Sequence, residues 1–191
     1  MRYLITLPWM PYPATDGGKQ GSFNMLMELQ NMIDITLIYP VFFKKQMACQ
    51  YLLEKQLPKV KVYPFEYYKN KDGIKSQYSL FRLHRIITRK FLKQPYLATP
   101  IYKDAYIDFV NEIIKKDRID IVQNEYFEQL YMVYAIPNTV KKVFIQHEIQ
   151  YIAKERLFQQ REYPSSVRYL ATMQRIQEIN ALNEYDQVIT M

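Results

Sequence analysis

Residues 3–39 read YLITLPWMPYPATDGGKQGSFNMLMELQNMIDITLIY. Tyr3 to Leu7 is a short apolar run that fits a buried parallel strand. Pro8, Pro11, Pro13, Gly17, Gly18 and Gly21 follow, and this density of breakers predicts a loop over residues 8–21, neither helix nor strand. Phe23, Leu26, Met27 and Ile33 then recur at helical spacing, and Ile35 to Tyr39 forms a second strand closed by Pro40. Strand, loop, helix, strand in this order is one unit of a parallel sheet covered by helices on both faces, an α/β fold.

The alternation continues outward from this unit. Val41 to Gln56 is expected helical, and Val60 to Tyr63 is expected as a third strand ending before Pro64. Residues 65–99 form a basic and aromatic insert, with Tyr67, Tyr68, Lys69, Lys71, Lys75, Arg82, Arg85, Arg89, Lys90 and Lys93. Within it Tyr78 to Leu92 has an apolar stripe of Leu80, Leu83, Ile86, Ile87 and Phe91. Helix over Ile101–Lys116, strand over Ile119–Gln123, a short helix over Phe127–Ala135 and strand over Val143–Gln146 follow. Tyr151–Gln160 is expected helical, Pro164-Ser165-Ser166 starts the next helix, and Val167, Leu170, Met173 and Leu182 are expected to face inward along it. Val188 to Thr190 closes the sheet.

A chain of 191 residues suits one domain, residues 1–191, and 49% apolar residues support a sizeable core. Lysine and arginine number 26 against 19 acidic residues, a net charge of +7. That balance favours anionic partners (a membrane surface, phosphates or nucleic acid) without choosing among them. No recognised RNA or DNA motif is present, so nucleic acid is not expected as a partner. The single cysteine, Cys49, excludes an internal disulfide framework and suits a reducing cytosol. No apolar run approaches the roughly 20 residues a membrane span needs. Met1 to Trp9 lacks a small-residue cleavage site and is taken as a first strand, not a signal peptide. Asp186 to Met191 has the character of a strand with nothing after it, so a longer protein with a further lobe is expected.

In open parallel sheets, ligands bind outside the carboxyl ends of the strands. Three groups fall on that rim: Gly17 and Gly18 after the first strand, Asn124, Glu125 and Tyr126 after the strand ending at Gln123, and His147 with Glu148 after the strand ending at Gln146. Two readings stand for the glycines with Lys19: backbone amides facing a phosphate near a helix start, or a turn that needs positive φ. The spacing is neither GxGxxG nor a Walker loop, and the second strand ends in Tyr39-Pro40 without an acidic ribose ligand. His147 can hydrogen-bond a sugar hydroxyl or a phosphate, or be a structural histidine. Glu125 can accept from an acceptor hydroxyl or act as a base, or stabilise a helix N-terminus. Arg156 and Arg161 can pair with phosphate or stay solvated, and His84 is assigned to the surface of the basic helix. That helix, Tyr78 to Lys93, can lie on an anionic membrane or pack on its own domain.

Taken in order, these pieces resemble the N-terminal lobe of family 4 GT-B glycosyltransferases. The resemblance rests on Tyr3-Leu4-Ile5-Thr6-Leu7-Pro8 through Pro13 and Gly17-Gly18, and on Asp34-Ile35-Thr36-Leu37-Ile38. It continues in Ile119-Asp120-Ile121-Val122-Gln123 with Glu125, in Phe144-Ile145-Gln146-His147-Glu148 with Arg156 downstream, and in Glu178, Glu184 and Asp186-Gln187-Val188-Ile189-Thr190. Lys19 stands where the family often has an arginine. The resemblance implies one Rossmann-like lobe that binds the acceptor, with a C-terminal nucleotide-sugar lobe outside this chain. It implies that Gly17, Gly18 and Lys19 approach the donor diphosphate and that His147, with Glu125, serves catalysis at the donor sugar. Glu148 and Arg156 would lie on the acceptor side. It implies transfer with retention from a nucleotide-sugar to a glycan or lipid-linked acceptor, no cofactor or metal, and a cytoplasmic protein in peripheral contact with the inner face of the membrane. This lobe alone would be inactive. A non-catalytic Rossmann-like binding or membrane-recruited module is the alternative, and a dinucleotide enzyme is disfavoured by the missing fingerprint.

Overall fold

The structure is a computed structural model, and it describes residues 1–69, 104–160 and 162–190. Six strands, β1 (Arg2–Thr6), β2 (Asp34–Val41), β3 (Lys61–Glu66), β4 (Ile121–Glu125), β5 (Lys141–Gln146) and β6 (Gln187–Thr190), form one parallel sheet in the order β3-β2-β1-β4-β5-β6. This is the Rossmann-like order. The direction of winding reverses between β1 and β4, where a crevice opens at the carboxyl ends of the strands.

The helices are α1 (Gly17–Leu29), α2 (Gln50–Gln56), α3 (Asp104–Lys116), α4 (Gln150–Gln160) and α5 (Ser165–Asn183), with 3₁₀ turns over Lys44–Cys49, Tyr67–Lys69 and Phe127–Tyr134. They cover both faces because alternate strand residues point to opposite sides. Leu4, Ile38 and Val122 pack with Tyr106, Val110, Ile113 and Ile114 of α3. Ile5, Leu37 and Tyr39 pack on the other face with Leu26 of α1 and Leu53 of α2. Phe144 of β5 joins Leu130, Val133, Ala181 and Tyr185 in a third cluster.

Several sequence expectations are corrected. Gly17, Gly18 and Gly21 are not loop residues but lie in α1, whose N-cap is Asp16, with its Oδ1 accepting from Lys19 N at 2.9 Å. A cap of this kind satisfies a free amide of the first turn and lets the helix begin on glycine. Neither Pro40 nor Pro64 ends its strand. Pro64 pairs only with β2 because β3 is the sheet edge, where a missing N–H costs no ladder bond. Pro40 lies beyond Ile38, the last β2 residue in register with β1, so its β1 side is likewise open. Val41 is in β2, and the expected helix to Gln56 is a 3₁₀ turn followed by α2. Phe65, expected in the insert, is a buried residue of β3. The remainder of the insert from residue 70 to 99 lies outside the described residues, including the helix over Tyr78–Leu92, His84 and their membrane face. Ile101 and Arg161 also lie outside them, as does the side chain of Leu170.

On α5 the buried line is Val167, Ala171, Gln174, Glu178 and Ala181. Of the residues expected to face inward, Val167 is buried and Leu182 packs against the third cluster, whereas Met173 is 37% exposed. The spacing of four and three residues is helical, but the inward face is chosen by a polar seam against α4. Glu178 is fully buried and accepts from Gln150 N and Tyr151 N, each at 3.1 Å, so it satisfies two free amides at the start of α4. Lys154, 7% exposed, donates to the Gln174 side-chain oxygen in the same seam. Burial pushes the Lys154 ammonium down to about 8 from 10.5, with the Glu178 charge opposing, and burial raises the Glu178 carboxyl above its ordinary value.

The unfolded chain therefore binds more protons at Lys154 than the folded chain between about pH 8 and 10, and stability rises with pH across that window. Above the ordinary tyrosine value of 10.0 the sign reverses, because burial raises the Tyr106 and Tyr185 phenols and ionisation then favours unfolding. Urea midpoints measured from pH 8 to pH 10 should climb in the wild type relative to Lys154→Met. Parallel curves for the two proteins would show that Lys154 is not held in this seam.

Candidate functional site

The crevice between β1 and β4 is lined by polar residues that the strands themselves deliver. Gln123, Asn124 and Glu125 end β4, and all three are buried. Asn124 is structural: Thr6 Oγ1 donates to its Oδ1 at 2.6 Å, and its Nδ2 donates to Tyr185 Oη at 2.9 Å. Tyr185 in turn donates to Leu130 O at 2.7 Å, which ties the turn between α5 and β6 to the 3₁₀ turn after β4.

Glu125 is 1% exposed, so its carboxyl group needs donors in place of water. Gln123 Nε2 donates to Oε1 at 2.6 Å, and Gln123 Oε1 accepts from Tyr3 Oη at 2.8 Å. Ser22 Oγ donates to Oε2 at 3.2 Å, and His147 Nε2 stands 3.4 Å from the same oxygen. These donors come from β1, β4, α1 and the residue after β5. In the tautomer with the proton on Nε2, that N–H donates to Glu125 Oε2 and Nδ1 is left as an acceptor. Nδ1 has no hydrogen-bond partner among the described residues.

Tyr126 closes the arrangement. Its ring stacks on His147 at 4.0 Å between centroids and 8° between planes, with Trp9 tilted against it at 4.5 Å. Its hydroxyl donates to Gly18 O at 2.8 Å and lies 3.2 Å from Ser22 Oγ. Burial raises the Tyr126 and Tyr3 phenols, with the Glu125 charge adding to both, and this keeps both hydroxyls available as donors. Tyr126 also has φ 66° and ψ 153°, a conformation that costs a non-glycine residue about 1–3 kcal/mol.

Gly18, Glu125 and His147 thus belong to one hydrogen-bonded and stacked group at one rim. The other sequence-derived candidates stand apart from it. Lys19 turns back on the loop, with Nζ 3.2 Å from Asp16 Oδ2 and 3.1 Å from Thr15 Oγ1. The Lys19 backbone N–H holds the Asp16 carboxyl below its ordinary value, with the Lys19 side chain contributing next. Gly17 and Gly18 keep first-turn amides with no partner among the described residues. Glu148 is exposed and accepts from Gln150 Nε2 at 2.9 Å, and Arg156 is exposed on α4. Glu125 is the last residue of β4 rather than a helix-start carboxylate, and it is 1% exposed.

Ser22, Gln123, Trp9 and the role of Tyr126 escape sequence reasoning. A serine inside a helix and a glutamine inside a strand carry no local signal, and a tyrosine at positive φ is not readable from residue type. Among the described residues no three His, Cys, Asp or Glu side chains gather as metal ligands, and no helix is long and apolar enough to cross a membrane. No protein-family model and no curated protein matches the chain.

Gly18 and Gly21, two of the three glycines of α1, differ in their surroundings. A Cβ on Gly21 would meet nothing within 4 Å, whereas one on Gly18 would stand 3.2 Å from Tyr126 Oη and 3.5 Å from Trp9 Cζ2. Neither has positive φ. Gly21→Ala should stabilise the protein by about 0.5–1 kcal/mol in chemical denaturation, the ordinary helix gain. Gly18→Ala should gain less than Gly21→Ala, because Tyr126 Oη is held by two partners and resists displacement. Equal gains at both positions would mean that Tyr126 does not press on Gly18.

Proposed function

We propose that this chain is the acceptor-side lobe of a glycosyltransferase that moves a sugar from a nucleotide-sugar to a glycan or lipid-linked acceptor. The observation that carries the proposal is the joining of Gly18, Glu125 and His147 at the switch point between β1 and β4. In this reading His147 meets the donor sugar through Nδ1 or the ring edge. Glu125 is a positioning residue that fixes the tautomer and orientation of His147. The free Gly17 and Gly18 amides at the start of α1 face the diphosphate, where the helix dipole favours an anion. Asp16 competes for that position, so donor binding displaces its carboxylate from the Lys19 amide. The sugar transfers with retention, and the protein's groups stabilise charge that develops in the transition state. Glu148 and Arg156 belong to the acceptor side. Contact with an anionic membrane is proposed on the net charge of +7, and the protein then works as a peripheral cytoplasmic enzyme.

The full-length protein should shift in melting temperature with one or more members of a nucleotide-sugar panel and not with NAD. With the donor so identified, His147→Ala should lower the transfer rate at least tenfold, about 1.4 kcal/mol of barrier. Glu125→Gln should lower the rate while leaving donor affinity close to that of the wild type, and it should move the pH profile of the rate. A His147→Ala enzyme with the wild-type rate would remove His147 from the chemistry.

A further inference from the structure

Tyr126 combines three features that core packing alone does not require. Its backbone sits at φ 66° and ψ 153°, a region that glycine enters freely and a bulky side chain enters at a cost. Its ring lies nearly parallel to the His147 imidazole, 8° between planes and 4.0 Å between centroids. Its hydroxyl reaches α1, donating to Gly18 O at 2.8 Å beside Ser22 Oγ at 3.2 Å. Strain of this kind persists only where the surroundings hold it in place. Here the holding contacts are the two sides of the crevice, α1 on one and His147 on the other.

We infer that Tyr126 is a positioning residue that fixes the plane of the His147 imidazole and registers it against the first turn of α1. This deepens the transferase reading and rests on it for the identity of the reacting group. Glu125 restrains one ring atom, since Nε2 alone faces its Oε2, and a single contact leaves the ring free to rotate about that axis. A parallel aromatic face removes that rotation. The phenol hydroxyl then ties the stacked pair to the Gly18 carbonyl, so movement of the α1 start is passed to the imidazole. Trp9, tilted at 4.5 Å on Tyr126, limits the remaining motion of the phenol ring.

The chain has two histidines, so His84→Gln leaves His147 as the sole imidazole for proton NMR. In that background the His147 ring protons should resonate upfield, under the ring current of Tyr126, and show cross-relaxation to the Tyr126 ring protons. Tyr126→Phe keeps the stacked face and should preserve the upfield position. Tyr126→Leu should move the His147 signals downfield to values typical of an unstacked histidine. Absence of Tyr126–His147 cross-relaxation in the wild type, or an unchanged His147 signal in a folded Tyr126→Leu variant, would overturn the assignment. If Tyr126→Leu does not fold, the wild-type cross-relaxation and the Tyr126→Phe signal decide. None of these readings uses a sugar donor. A chain that meets them all but binds no nucleotide-sugar keeps Tyr126 as the positioning residue of His147 and loses the transferase reading instead.

Discussion

A carboxyl group removed from water at the end of β4 organises the rim of this protein. Glu125 is 1% exposed, and a buried carboxylate without donors costs several kcal/mol. Its two oxygens are met by Gln123, Ser22 and His147, which arrive from β4, α1 and the segment after β5. Each donor is itself placed by another partner: Gln123 by Tyr3, Ser22 by contact with Tyr126, and His147 by the stacked phenol. A buried acidic residue thereby specifies how four separate segments meet. Partial satisfaction would be worse than an apolar filling, so the geometry of the group is constrained as a whole.

The same device recurs away from the rim. Glu178, fully buried on α5, accepts the first two amides of α4 and sets the contact between those helices. Because α4 begins four residues after Gln146, this second carboxylate positions the chain that leaves His147. The inward face of α5 is accordingly polar at Gln174 and Glu178, while Met173, Ile176 and Ile179 remain exposed. Hydrophobic burial holds the sheet to its helices, and hydrogen bonding to buried carboxyl groups decides how the carboxyl-end connections are arranged.

The fold was largely legible because two periods dominate the chain. Apolar runs such as Ile35 to Tyr39 fit a strand buried on both faces, and the helix expected over Ile101–Lys116 is present as α3, with Tyr106, Val110, Ile113 and Ile114 on its buried face. Errors fell where a local breaker was overruled by its place in the sheet. Pro64 sits on an edge, Pro40 lies past the end of its β1 neighbour, and the glycines of α1 are tolerated behind an Asp16 cap. Met173 was misplaced because hydrophobicity alone does not reveal that a glutamate on the opposite side of the helix has amides to satisfy.

What residue order determined by itself was the alternation of strands and helices, and with it the arrival of Gly18, Glu125 and His147 at one rim. Parallel strands deliver their carboxyl ends to the same edge whatever their side chains are. Only the tertiary structure decided which of these groups touch, that Glu125 is sealed behind His147, that Lys19 turns back to Asp16, and that Tyr126 bridges the crevice at positive φ. Those outcomes depend on contacts between residues about a hundred positions apart, such as Ser22 with Glu125, and on the cost of leaving a buried polar group unpaired. Neither quantity exists in a chain until its segments have packed.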